Sequence, residues 1–173
     1  ESTQATFPVT FGPDLTHNGN SDAFVAKVNP SGTALVYAGY VGGSSYDYGY
    51  GIAVDAGGNA YLTGTTASSE DTFPVTVGPG LTHSGSGDAF VAKVSATGTG
   101  LVYAGYLGGS GIDEGKAIAV DAVGLAYVTG YATSTEDTFP VTVGPDLTQN
   151  GSSDAFVAKV NGTGSALVYA GFV

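Results

Sequence analysis

Asp22-Ala-Phe-Val-Ala-Lys-Val28 returns letter for letter at 88–94 and again at 154–160, which gives the chain a period of 66 residues. The flanking sequence keeps the same step. Leu35-Val-Tyr-Ala-Gly39 recurs at 101–105 and 167–171, and Thr6-Phe-Pro-Val-Thr10 recurs at 72–76 and 138–142. Read from Phe73 and Phe139, the second and third copies agree at 25 of 35 positions, far beyond what a shared composition produces. Self-similarity at a fixed spacing is the mark of a repeat architecture. It also bears on function, because any recurring residue would create several equal sites where chemistry usually needs one. The pattern therefore specifies a scaffold more sharply than a reaction.

Within one period, Ala23–Val28 reads as a strand whose two faces, Phe24/Ala26/Val28 and Ala23/Val25/Lys27, are both nearly apolar. A strand of that kind is covered on both sides. Asn29-Pro-Ser-Gly32 is a turn, Ala34–Tyr40 a second strand, and Gly42-Gly-Ser-Ser45 a break. Gly51–Val54 and Ala60–Thr65 flank Asp55-Ala-Gly-Gly-Asn59, a hairpin turn of the Asx/Gly kind. A loop from Thr66 to Gly87 follows. It carries Phe73-Pro-Val-Thr-Val77, expected to be a short extra strand or a packed plug.

The pattern predicts an all-β protein of β-propeller-type blades, four antiparallel strands per 66-residue repeat, with strands near 22–28, 34–41, 51–55 and 59–65 in each blade. A parallel β-solenoid is the competing architecture, disfavoured by the tight Asp/Gly/Asn turns. Residues 1–173 then form one array of repeat units 7–72, 73–138 and an incomplete 139–173, about two and a half blades with ten strands. Two and a half blades do not close a propeller. Apolar faces at both ends and an unpaired edge at Leu167, Tyr169 and Phe172 are expected to meet other copies of the chain or further blades of a longer one.

The string Asp22–Tyr37, then Gly42-Gly-Ser44, then Gly51-Ile-Ala-Val-Asp-Ala-Gly-Gly-Asn-Ala-Tyr-Leu-Thr-Gly64 resembles the bacterial SBBP repeat, a β-propeller repeat family. The resemblance covers nearly the whole chain. It implies blades, and a setting in large exported or surface proteins of prokaryotes, and it brings no catalytic motif to transfer. Copy two departs from it at Asp121-Ala-Val-Gly-Leu125, so the Asn of the hairpin turn is dispensable, and the 66–87 loop is longer than the family pattern.

Composition narrows the partners. Fifteen acids against four lysines, with no arginine, give a net charge of −11. Nucleic acids and anionic membranes are bound by clustered Lys and Arg, so neither is an expected partner. No apolar run approaches the ~20 residues of a spanning helix, so membrane insertion is not expected. Cysteine is absent, which removes disulfides and thiol chemistry. No signal-peptide pattern opens at Glu1, so an exported protein would show here its mature or excised form.

Candidate sites follow from residues that recur or fail to recur. Asp22, Asp88 and Asp154 open the same strand in each copy. They read either as turn caps accepting backbone N–H groups or as ligands of a structural calcium repeated by copy, the one cofactor considered. Asp47 and Asp113 follow the Gly-Gly-Ser break. Glu70-Asp71 and Glu136-Asp137 precede Thr-Phe-Pro, where the first copy has Gln4-Ala5. His17 and His83 are in phase but give way to Gln149, which argues for polar loop residues. No Gly-x-Ser-x-Gly elbow, His-Glu-x-x-His or phosphate loop occurs, and an enzyme is not expected. Tyr46, Tyr48 and Tyr50 break the repeat, since copy two has Ile112, Glu114 and Lys116 there, and they are the candidates for a copy-specific contact surface. The leading expectation is a non-enzymatic extracellular or cell-surface structural and interaction module. The alternative is a carbohydrate-binding or calcium-dependent adhesive module, with aromatic residues stacking on sugars.

Overall fold

The computed structural model describes residues 7–173; Gln4 and Ala5 lie outside them. Ten strands follow one another with no helix among the described residues: β1 Ala23–Val28, β2 Leu35–Val41, β3 Asp47–Val54, β4 Ala60–Thr66, β5 Asp88–Val94, β6 Leu101–Leu107, β7 Asp113–Val120, β8 Ala126–Ala132, β9 Asp154–Val160 and β10 Leu167–Phe172. All pairings between them are antiparallel. The architecture is all-β and made of four-stranded meanders, as blades require.

The strands do not group as one blade per sequence period. The sheets are β1-β2, then β3-β4-β5-β6, then β7-β8-β9-β10. Each complete blade takes its first hairpin from one repeat and its second from the next, joined by Ala60 pairing with Val94 and Thr66 with Asp88 across the long loop. The expectation of a blade made from strands near 22–28, 34–41, 51–55 and 59–65 is thus corrected by half a period. So is the place of the unfinished blade. It is the N-terminal pair β1-β2, while 154–172 completes a full sheet. A periodic pattern defines its unit only up to a phase. The phase is set here by a pairing between segments that the sequence separates by some 20 residues of loop.

Local chemistry explains the hairpins. The Asp55 carboxylate accepts the Asn59 N–H at 2.9 Å, the Asn59 side-chain amide at 2.8 Å and the Tyr61 hydroxyl at 3.1 Å, closing the β3–β4 turn. Gly58 there has φ of 83°, a left-handed conformation open to glycine. In the β7–β8 turn Leu125 replaces the Asn, and its backbone N–H still donates to Asp121 at 2.9 Å, which is why the Asn is dispensable. β3 starts at Asp47, four residues before the expected start. A bulge at Tyr50, between Gly49 and Gly51, is accommodated within the strand.

Two apolar layers hold the sheets together. One lies between the half-blade and the middle blade and contains Val25, Tyr37, Val41, Phe90 and Val94. The other lies between the middle and last blades and contains Val91, Tyr103, Val128, Phe156 and Val160. The Phe73 segment is a plug and not a strand: its ring is buried 5.4 Å from both Phe90 and Tyr106. Phe139 does the same for the last blade against Phe156 and Phe172.

Candidate functional site

The half-blade leaves a groove where the other blades have two more strands. β1 pairs with β2 on one side and with no strand on the other among the described residues. Its counterparts β5 and β9 are each paired on both sides. β3 borders the groove. In the next blade its counterpart β7 packs closely against β3, β4 and β5 of the blade before it, whereas β3 packs far more sparsely against β1 of the half-blade. Ile52 and Val54 of β3 are 58% and 60% exposed, while the equivalent Ile118 and Val120 are half-buried against the core. Phe24, Tyr50, Ile52 and Leu62 line a cavity of about 260 Å³ at this place.

Phe24 marks the difference most clearly. The expectation that Phe24, Phe90 and Phe156 are equivalently buried fails at the first: Phe24 is 41% exposed, against 0% and 1%. The Phe90 ring is covered by Gly64 and the Phe156 ring by Gly130. A Cβ at either glycine would run into a carbonyl of the neighbouring strand and the Phe ring, so only glycine permits this close approach. On the opposite face Val25 and Val91 are covered as expected, and Val157 is only half-buried. Val157 belongs to the outer face of the last blade, beside the exposed Val143 and Val173.

The expected edge at Leu167, Tyr169 and Phe172 is largely taken. Phe172 exchanges backbone hydrogen bonds with Asp146, its N–H donating at 2.7 Å, and the Thr142 N–H donates to the Ala170 carbonyl at 3.0 Å. The Phe172 side chain is buried; Leu167 and Tyr169 are half-buried. The 139–146 segment therefore caps this edge, as the equivalent loops cap β2 and β6. Among the described residues, β1 is the strand that lacks a partner its two echoes have.

The recurring acids do converge, in pairs. Asp22 and Asp47 are buried together, as are Asp88 and Asp113. Asp47 Oδ2 accepts the Gly43 N–H at 2.7 Å and the Ser68 hydroxyl at 2.9 Å, and Asp113 Oδ2 accepts the Gly109 N–H at 2.8 Å and the Ser134 hydroxyl at 2.6 Å. Asp22 and Asp88 each accept one backbone N–H, from Asn18 and Ser84, on Oδ2, while their buried Oδ1 atoms have no donor. Burial pushes the Asp88 carboxyl up to about 7, helped by the charge of Asp113 and opposed by the Ser84 N–H. Burial raises Asp22 and Asp47 as well. Asp154 stands apart, half-exposed, accepting the Asn150 N–H at 2.6 Å. Calcium takes six to eight oxygens, whereas the Oδ2 atoms of these carboxylates face N–H and O–H donors. No three metal-binding side chains gather among the described residues. The N–H and O–H donors present around these acids are those of turn capping.

Of the recurring tyrosines, Tyr127 and Tyr169 are half-buried. Tyr37, Tyr103, Tyr40, Tyr106 and Tyr61 are buried. Tyr46, Tyr48 and Tyr50 form a row, with ring centroids 6.1 and 6.4 Å apart and planes 22° and 15° from parallel. The outer two are half exposed, and Lys116 of the next blade sits 4.2 Å from the Tyr50 ring centre. His17 and His83 lie edge-on to Tyr40 and Tyr106 at 5.6 Å, as parts of the loops that cap β2 and β6.

Stacked four-stranded antiparallel sheets with an open half-blade define the class: a propeller-repeat module. The chain carries the SBBP beta-propeller repeat, whose family model matches residues 36–70 and again 102–136. Each match runs from the second strand of a sequence repeat past the end of the hairpin Asp47–Thr66 or its echo. A search of curated proteins finds no match to the chain.

Proposed function

We propose that this chain is a non-enzymatic structural and interaction module of an extracellular or cell-surface protein, engaging other copies of itself or further blades through its two terminal blade faces. The observation that carries this reading is the exposure of Phe24, Val28, Ile52 and Val54 at one end, at positions whose equivalents are covered within the array. Burying such surface is worth roughly 25 cal/mol per Å², and contiguous apolar patches of this kind mark interaction surfaces. The net charge of −11 directs the module away from nucleic acid. Light scattering over a dilution series tests it. The expected result is a mass above the 17.1 kDa of one chain at micromolar concentration, falling on dilution. A well-folded species of single-chain mass throughout refutes self-association.

A second reading, carbohydrate binding, rests on the Tyr46–Tyr48–Tyr50 row, an exposed aromatic surface confined to one copy. On that reading soluble oligosaccharides quench or shift tyrosine fluorescence, and Tyr46→Ser together with Tyr50→Ser abolishes the change. Unaltered fluorescence across a panel of hexose polymers counts against it.

A further inference from the structure

We infer that the groove on the open side of β1 is an acceptor for a β-hairpin of the β3–β4 pattern, delivered by polypeptide that leads into the Phe7–Asp22 loop. This rests on reading the terminal faces as binding surfaces, and it assigns an occupant to one of them.

The molecule supplies its own template. β4 lies antiparallel along β5 with Ala60 opposite Val94, Gly64 opposite Phe90 and Thr66 opposite Asp88. β8 repeats this along β9, with Gly130 opposite Phe156. β1 has the sequence of β5 and β9 throughout and, among the described residues, lacks the strand. An unpaired strand edge beside an apolar floor is the arrangement to which extended segments add by main-chain hydrogen bonding. The register of the incoming strand follows from the template. Its glycine falls on Phe24, its preceding threonine donates to the Phe24 carbonyl as Thr63 donates to Phe90 at 2.7 Å, and its tyrosine comes under Lys27. Lys93 and Lys159 each stand 4.7 Å over such a tyrosine, Tyr61 and Tyr127. Lys27 instead reaches across to the Ala96 carbonyl at 3.1 Å.

The delivery route is already folded. In the middle blade, the loop that carries the chain from β4 to β5 places Phe73 on Phe90 and Tyr106, bridges Gly80 to Tyr106, and bridges Gly87 to Ile112. Ahead of β1, Phe7 sits on Phe24 and Tyr40 at 4.6 and 5.4 Å, Asp14 bridges to Tyr40, and Ser21 bridges to Tyr46. The loop takes the same course. A second copy is a poorer donor. Its own hairpins of this pattern are paired with β5 and β9, and lending one opens an identical gap in the lender.

The test adds a second copy of the Asp47–Thr66 sequence directly ahead of Glu1, which reproduces the loop length between β4 and β5. Hydrogen exchange of the amides of Ala23–Val28 is compared in the extended and unextended chains, at concentrations where both are monomeric. The expected result is exchange slowed by about tenfold or more in β1 of the extended chain, lost again when the added glycine equivalent to Gly64 is replaced by valine. If the extended chain does not fold, the 20-residue peptide is added in trans to the folded chain and the same amides are read. Unchanged β1 exchange overturns the inference. So does β1 protection in the unextended chain that appears only at high concentration, which would make a second copy the occupant. Because the readout is taken on monomers, a chain that never self-associates defeats only the self-association arm of the broader reading and leaves this one standing.

Discussion

Ala23–Val28 and Ala89–Val94 are the same six residues in the same extended conformation, and they live in different solvents. Every residue of the second stretch but Lys93 is buried; in the first, only Ala23 and Val25 are. The Phe24/Ala26/Val28 face is apolar in both, so intrinsic preference cannot account for the difference. The neighbours do. β5 has β4 beside it, while β1 has nothing on that side among the described residues. In a repeat array each unit contributes half an interface, and stability resides in the contacts between units as much as within them. The same letters are therefore core in one place and docking surface in another.

The largest effect expected from this comparison is a divergence between identical substitutions. Phe90→Ala removes a fully buried ring and should cost roughly 3–5 kcal/mol. Phe24→Ala removes a ring that is 41% exposed and touches chiefly Phe7, and should cost about 1 kcal/mol. Denaturant melts of the two variants measure the gap directly. In the chain extended by the hairpin, the cost of Phe24→Ala should climb toward that of Phe90→Ala. Equal costs in the unextended chain would mean that β1 is already covered in solution.

Period, approximate strand positions, turns and, for β5, cover on both faces were legible in the sequence because they are local. Gly-rich turns and apolar runs report on their own few residues. The blade boundary was not legible, since it depends on β4 crossing a long loop to pair with β5, and every 66-residue window of a periodic sequence is equally good as a unit. The misplaced half-blade, the burial assigned to Phe24 and the edge assigned to Leu167–Phe172 all follow from that one missing fact. Asp22, Asp88 and Asp154 were found, but not their partners. Asp47 and Asp113 reach them only through the fold, together with Ser68 and Ser134, which recur in phase 21 residues further on and offered the available clue. The Tyr46–Tyr48–Tyr50 row was legible for the opposite reason, as a place where the copies disagree.

A smaller effect sharpens the comparison at the residue that opens each of these strands. Asp88 is buried beside Asp113, and its carboxyl is raised to about 7, first by burial and then by that neighbouring charge. A carboxyl whose folded value exceeds its unfolded value near 4 favours the native state when protonated. Its contribution is complete below about pH 4 and is lost as the pH rises through about 7. Asp22 and Asp47, raised by burial, act with the same sign. Asp55 acts oppositely. Its burial is outweighed by donors from Asn59 and Tyr61 and by Lys93, holding it at about 2, so its contribution is lost as the pH falls from about 4 through about 2. The melting temperature of the native chain should therefore decline between about pH 4 and pH 8. Asp88→Asn, which keeps the shape and removes the charge, should flatten that decline and melt above the native chain at pH 8. Calorimetric melts at unit pH steps give the answer. A decline in the Asn variant as steep as in the native chain would show that the Asp88–Asp113 pair is relieved by water or by local opening, and that the middle blade is less tightly closed around it than the half-blade comparison implies.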